Sequence, residues 1–174
     1  LACERRVDPP EVIVGDHLTG ELVVTKTGNL PLIVSKPGKN LLKLYLNDVG
    51  ILTGILYGNN IRAVLDDETS VNLGSAYESV VASELAAHGY KLYYYDNRSK
   101  GEVDYLIDDY DSLSAVPIEV KSGKNYKVHR ALNNVLAEES YHLRQGLVFG
   151  PGNIETDHNI TYYPIYLIGQ FCNN

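Results

Sequence analysis

The sequence predicts an α/β domain, and three observations carry that prediction. The stretch from Gly101 to Gly123 holds two short apolar runs, EVDYLID and AVPIEVK, on either side of a polar segment rich in Asp, Ser and Tyr, which is the pattern of a β-hairpin. A helix-spaced segment precedes it, from about Leu73 to His88, with Tyr77, Val81, Leu85 and His88 on one side. A second helical segment and two further strand-like runs follow, so the order is helix, three strands, helix, two strands.

Composition sets the outer bounds. A chain of 174 residues, 44% hydrophobic and 21% charged, suits one domain of ordinary size with a small appendage. No apolar run approaches the length of a membrane span, and the first residues lack the basic-then-apolar order of a secretory signal. A cytoplasmic location with no membrane contact is therefore expected. Cys3 and Cys172 have no ligand spacing around them, and two unpaired thiols in a reducing compartment are expected rather than a bridge. The absence of any methionine suggests that Leu1 begins a fragment, a processed product or a chain with an unusual start. The net charge of -7 argues against a protein that coats nucleic acid, but leaves room for a locally basic cleft.

Taken in order, residues 1–70 are expected to form an N-terminal extension, a strand-rich arm with packing helices, and residues 71–174 the main domain. EVIV at 11–14 and ELVVT at 21–25 are strand-like, and Pro31 demotes the LPLIV run to an edge strand or a strap. From Leu41 to Leu56 the spacing of Leu41, Leu44, Tyr45, Val49, Leu52 and Leu56 is near helical, weakened by Gly50 and Gly54, with Asn47-Asp48 capping a second segment. Ser75-x-x-Glu78 fits a capping box at the start of the next helix, a structural role for Glu78. Glu78 is equally in register with Val81 and Leu85, so it can face the sheet.

KLYYYD at 91–96 reads as a strand by its aromatic content, and Asn97 to Gly101 as the turn into the central hairpin. Pairing that hairpin about a centre between Asp111 and Ser112 sets Val103 against Val120, Tyr105 against Ile118 and Ile107 against Val116, one apolar face. On the other face Asp104 then meets Glu119, with Lys121 beside it. Like charges opposed on a sheet destabilise it, so something is expected to occupy the gap. A hard divalent cation, Mg²⁺ or Mn²⁺, binds through one or two carboxylates and lowers the pKa of a bound water. The competing reading of Glu-x-Lys is a solvated surface pair. Further along, a helix is expected over about His129 to Glu139, a buried strand at Gly146 to Gly150, and a last strand over Ile160 to Phe171 with Pro164 at an edge position. Lys121, Lys124, Lys127 and Arg130 fall in a stretch without acids, which is either a solvated turn or a phosphate-contacting edge.

An Asp on one strand followed by Glu-x-Lys on the next resembles the PD-(D/E)XK nuclease superfamily. The superfamily's usual Pro before the Asp is replaced by Val103. The resemblance implies a restriction endonuclease-like α/β fold, an α-β-β-β-α-β core whose mixed sheet carries helices on both faces, here with a small N-terminal strand/helix extension. It implies Asp104 and Glu119 as metal ligands, with the Val120 carbonyl and Glu78 supplementing them, Glu84 as a weaker substitute for Glu78, and Lys121 assisting the nucleophile. Lys124, Lys127 and Arg130 become the nucleic-acid contacts, with DNA the expected substrate and a homodimer a common arrangement in the superfamily.

A closer resemblance lies in the stretches KLYLNDVGILTGIL, NLGSAYESVVASELAAHGYKLYYY, GEVDYLI and PIEVKSGKNYKVHRALNNVL. Over about residues 30–171 they look like the domain of unknown function at the C-terminal end of a group of bacterial and archaeal AAA-type ATPases. That resemblance implies a separate AAA-type ATPase as partner. No GxxxxGK[ST] occurs, so ATP hydrolysis by this chain itself is not expected. A noncatalytic module that binds nucleic acid or a protein for such an ATPase is the alternative.

Overall fold

The structure, a computed structural model, describes residues 21–27, 42–58, 61–66 and 72–171. The runs EVIV and LPLIV, and both cysteines, lie outside the described residues.

Among the described residues, eight strands form one mixed sheet in the order β2-β1-β3-β4-β5-β6-β8-β7. They are β1 (Glu21–Thr27), β2 (Leu42–Leu46), β3 (Tyr93–Asn97), β4 (Gly101–Asp109), β5 (Ser114–Val120), β6 (Gly146–Gly150), β7 (Glu155–Asp157) and β8 (Ile160–Pro164). The helices are α1 (Val49–Tyr57), α2 (Ile61–Leu65), α3 (Gly74–Ala87), α4 (Arg130–Leu136) and α5 (Ile168–Phe171). From α3 onward the order runs α3-β3-β4-β5-α4-β6, with β4 antiparallel to both β3 and β5, and β5 parallel to β6. The β1 strand joins this core parallel to β3, and β2 pairs antiparallel with β1, so the N-terminal strands continue the main sheet.

α3 forms because Ala76, Val81, Ala82, Leu85 and Ala86 recur on one face of a segment rich in strong helix formers. It ends in a Schellman arrangement: Gly89, at φ +84°, donates its N–H to Ala86 and Tyr90 donates to Leu85. The helix packs on one side of the sheet, burying Val81 and Leu85 with Tyr105, Ile107, Ile118 and Phe149. α4 covers the opposite side, where Val135 meets Val103, Leu106 and Ala115, and Leu132 meets Val148 and Ile160. Each large side chain buried in this way contributes roughly 1.5–3 kcal/mol.

Four expectations are corrected. LKLYL, Leu42–Leu46, is not the start of a helix but strand β2: it pairs with β1, and Tyr45 is buried while its neighbour Leu44 is 61% exposed, an alternation of period two. The helix begins only after Asp48, whose carboxylate accepts from Ile51 N–H at 3.0 Å, as the capping signal predicts. Ser75 and Glu78 form no capping box, because α3 starts at Gly74, whose N–H is instead accepted by Asn72 Oδ1 at 3.0 Å. The last strand stops at Pro164 and the chain then turns through a 3-10 helix into α5. Pro164 does sit at an edge position: it pairs with Gly150 of β6, while β7 reaches only as far as Tyr162 on the other side of β8.

The fourth correction concerns the hairpin. Tyr105 pairs with Ile118 and Ile107 with Val116, the expected register. Val103, however, belongs to the α4 side with Leu106. Between the pairs Tyr93↔Leu106 and Tyr95↔Val103 two steps on β3 would need two on β4, but β4 makes three. The extra residue is a β-bulge, and it reverses the alternation of β4 at Asp104.

Candidate metal and acid-base site

Asp104 sits in that bulge. Its Oδ2 accepts from the Val120 N–H at 2.9 Å, so a side chain takes over a contact that a strand carbonyl makes elsewhere in the ladder. That bond ties the end of β5, between Glu119 and Lys121, to the bulge. Glu119 is 5% exposed, on a strand whose every residue is buried. Its Oε1 accepts from Lys121 Nζ at 2.5 Å, while Oε2 is buried with no hydrogen-bond partner.

The charges respond to that confinement. Burial pushes Glu119 up to about 7, with the Asp104 carboxylate adding to the rise and Lys121 opposing it. Burial also raises Asp104, against the Val120 N–H and the ammonium groups of Lys43 and Lys121. An orphaned, buried carboxylate oxygen is costly to leave unmet, and it fits a proton or a cation. Carboxylate oxygens are the ligands that Mg²⁺ and Mn²⁺ prefer, and Asp104 lines the open pocket described below. Among the described residues, no three of His, Cys, Asp and Glu are grouped closely enough to hold an ion by themselves.

Glu78 lies on the α3 side. Its Oε2 accepts from Tyr45 Oη at 3.1 Å, and its carbonyl accepts from Tyr105 Oη at 3.0 Å, which ties helix, arm and hairpin together. Burial, then Asp104, raises its pKa, with Lys43 easing the rise. Glu78 and Asp104 share the lining of an open pocket of about 610 Å³ with Lys43, Glu102 and Ser75. Glu84 lines a different, mostly apolar pocket beside α5. The Val120 side chain is in the core, and its N–H is the donor to Asp104.

Of the expected nucleic-acid contacts, Lys124 and Arg130 are exposed, at the loop after β5 and the first position of α4. Lys127 is ion-paired with Glu155 at 2.6 Å and lies over the Tyr162 ring. His129 is a structural residue: its Nε2 is 2.7 Å from Tyr162 Oη and its Nδ1 is 3.1 Å from Asn133 Oδ1, in a buried position that joins α4 to β8.

Sequence reasoning missed Lys43 and Glu102. Lys43 reaches from β2 to an ion pair with Glu102, lies 3.7 Å from Asp104 Oδ1 and passes over the Tyr94 ring. Burial pulls its pKa down, but Glu102, Asp104 and Glu78 more than offset this and the net shift is upward. A single Lys inside an otherwise apolar LLKLYL run was the available signal.

Among the described residues, no helix is long and apolar enough to cross a membrane. No curated protein and no solved structure matches the chain. The family described as a domain of unknown function (DUF4143) matches residues 73–168, which run from the start of α3 into α5 and include Glu78, Asp104, Glu119 and Lys121. That match spans more than half of the 174 residues, so the chain belongs to the DUF4143 family.

Proposed function

We propose that this protein is a divalent-metal-dependent nuclease-like domain that hydrolyses phosphodiester bonds of DNA. The observation that carries the reading is the partnerless buried Glu119 Oε2, on a strand tied to Asp104 and next to Lys121. The element order α3-β3-β4-β5-α4-β6 with β4 antiparallel to its neighbours is consistent with the nuclease superfamily's core, and supports the restriction endonuclease-like reading of the fold. The choice of DNA, and a role beside a separate AAA-type ATPase, rest on the resemblances in sequence.

Asp104 and Glu119 would hold Mg²⁺ or Mn²⁺, which when bound supplies charge neutralisation at the phosphoryl group and a more acidic water. The chain's own part is positional. The bulge fixes Asp104 through the Val120 amide, and the buried β5 strand fixes Glu119. Lys121, 30% exposed, has its ammonium held at Glu119 but open on the solvent side. There it can donate to a water or to a phosphoryl oxygen as negative charge develops. Lys124 and Arg130 follow on exposed positions suited to backbone phosphates.

The test is cleavage of plasmid and single-stranded DNA with Mg²⁺ or Mn²⁺, beside Lys121→Ala. The expected result is cleavage that falls by about a hundredfold or more in the variant. No cleavage of either substrate by protein shown to be folded would refute the nuclease reading. It would leave the second one, a noncatalytic binding module, which is favoured by a specific feature: lysines already neutralise the acids from two directions.

A further inference from the structure

We propose that Lys43 is an internal competitor for the divalent cation, a regulatory element that holds the affinity of the acidic pocket down until the arm is displaced. The inference rests on the metal-dependent reading above and concerns how that site is controlled.

The two oxygens of Asp104 differ in what they face. Oδ2 is committed to the Val120 N–H at 2.9 Å. Oδ1 is the oxygen left for another positive partner, and Lys43 Nζ stands 3.7 Å from it. The same ammonium is ion-paired with Glu102 and lies in the field of Glu78. A cation already occupies the mouth of the acid cluster, and it is supplied by the protein. A divalent ion that takes Asp104 as a ligand must approach against a positive charge at close range, in a region where Lys43 is only 21% exposed and Asp104 15%. Partial burial keeps that repulsion from being screened away by salt.

Position makes Lys43 adjustable in a way that Lys121 is not. Lys121 directly follows the last residue of β5, two positions after Glu119, so its backbone moves with that strand. Lys43 comes from β2, the outermost strand on that side among the described residues, which is held by β1 and by the hydrogen bond from Tyr45 to Glu78. Cation binding and arm docking are therefore linked, and linkage is reciprocal: whatever loosens β2 strengthens cation binding, and cation binding loosens Lys43.

The experiment measures Mn²⁺ binding to the full chain by calorimetry, for the wild type, Lys43→Met, Lys43→Arg and Asp104→Asn, each checked for folding by circular dichroism. Lys43→Met is expected to bind about tenfold more tightly than the wild type, Lys43→Arg to remain within a few-fold of it, and Asp104→Asn to lose binding. Equal affinities for the wild type and Lys43→Met, with binding lost in Asp104→Asn, would overturn the competition while leaving the metal site standing. No Mn²⁺ bound by either protein would overturn both. A second measurement needs no variant: mass spectrometry of amine acylation on the wild type should show Lys43 labelled several-fold faster with saturating Mn²⁺, and an unchanged rate would overturn the proposal.

Discussion

Replacing Glu119 by Gln should stabilise the metal-free protein above neutral pH. Glu119 is buried, and its pKa is lifted from an ordinary 4.5 to about 7, chiefly by burial and then by Asp104. Between those two values the folded protein holds a proton that the unfolded chain has already released. Folding stability therefore falls as pH rises through the window and levels off above it. At 1.36 kcal/mol per pH unit, and with Lys121 already answering one of the two oxygens, the loss amounts to about 1–3 kcal/mol. Gln keeps the shape and an acceptor for Lys121 but carries no charge. The two proteins should thus be alike at about pH 4.5, and by about pH 8 the variant should unfold at a urea concentration higher by roughly 0.5–1 M. The measurement is urea unfolding in EDTA across that range. A variant equal to or less stable than the wild type at pH 8 would refute the reasoning, because it would mean that the Lys121 contact outweighs the cost of the buried charge.

Two further outcomes follow from the surroundings of the site. Gly101 opens β4 at φ +97°, and an added Cβ would stand 3.0 Å from Ala131 Cβ on α4, so Gly101→Ala should lower stability by more than about 1 kcal/mol in a thermal or urea melt; an unchanged midpoint would mean that the backbone there is free to relax. Glu138 is held down to about 2, first by its hydrogen bond from Lys100, so its stabilising share is present above the ordinary 4.5 and is lost as pH falls towards 2. In Lys100→Met an NMR titration of the Glu138 carboxyl should move its midpoint up towards 4.5, and a midpoint that stays low would assign the depression to Ser140 instead.

How much was legible in the sequence depended on how local the cause was. The helix over 74–87 and the strand at Gly146–Gly150 follow from periodicity and composition, and both appear within a residue or so of where the pattern puts them. The hairpin register was legible from Tyr105 to the turn, because alternating apolar residues and the polar tip specify it together. Val103 broke the pattern because a bulge is set by the partner strand: it is the mismatch with β3, between Tyr93 and Tyr95, that creates the extra residue. The LLKLYL run failed for a related reason. Its apolar spacing suits a helix, but pairing with β1 overrides that preference. Among the candidate site residues, Asp104 and Glu119 lie on adjacent strands, with Lys121 just past the end of the second, and could be read together. Lys43 arrives by a sheet order that places β2 and β1 beside β3, which nothing in its immediate neighbours announces.

That sheet order bears on how the site works. Glu78, Asp104 and Glu119 are all raised in pKa, so each stands in an environment that disfavours its charge. A sequence shaped for stability alone would replace such acids or neutralise them permanently. Here neutralisation is divided. Lys121 is fixed by the hairpin, within the part of the chain that matches the family, residues 73–168, whereas Lys43 comes from a strand outside that span. The acids and the lysine bound to them form the unit that the family match covers, and the arm adds a charge whose presence depends on where β2 sits. Changes confined to the arm can therefore alter the electrostatics at Asp104 without touching a residue of the hairpin.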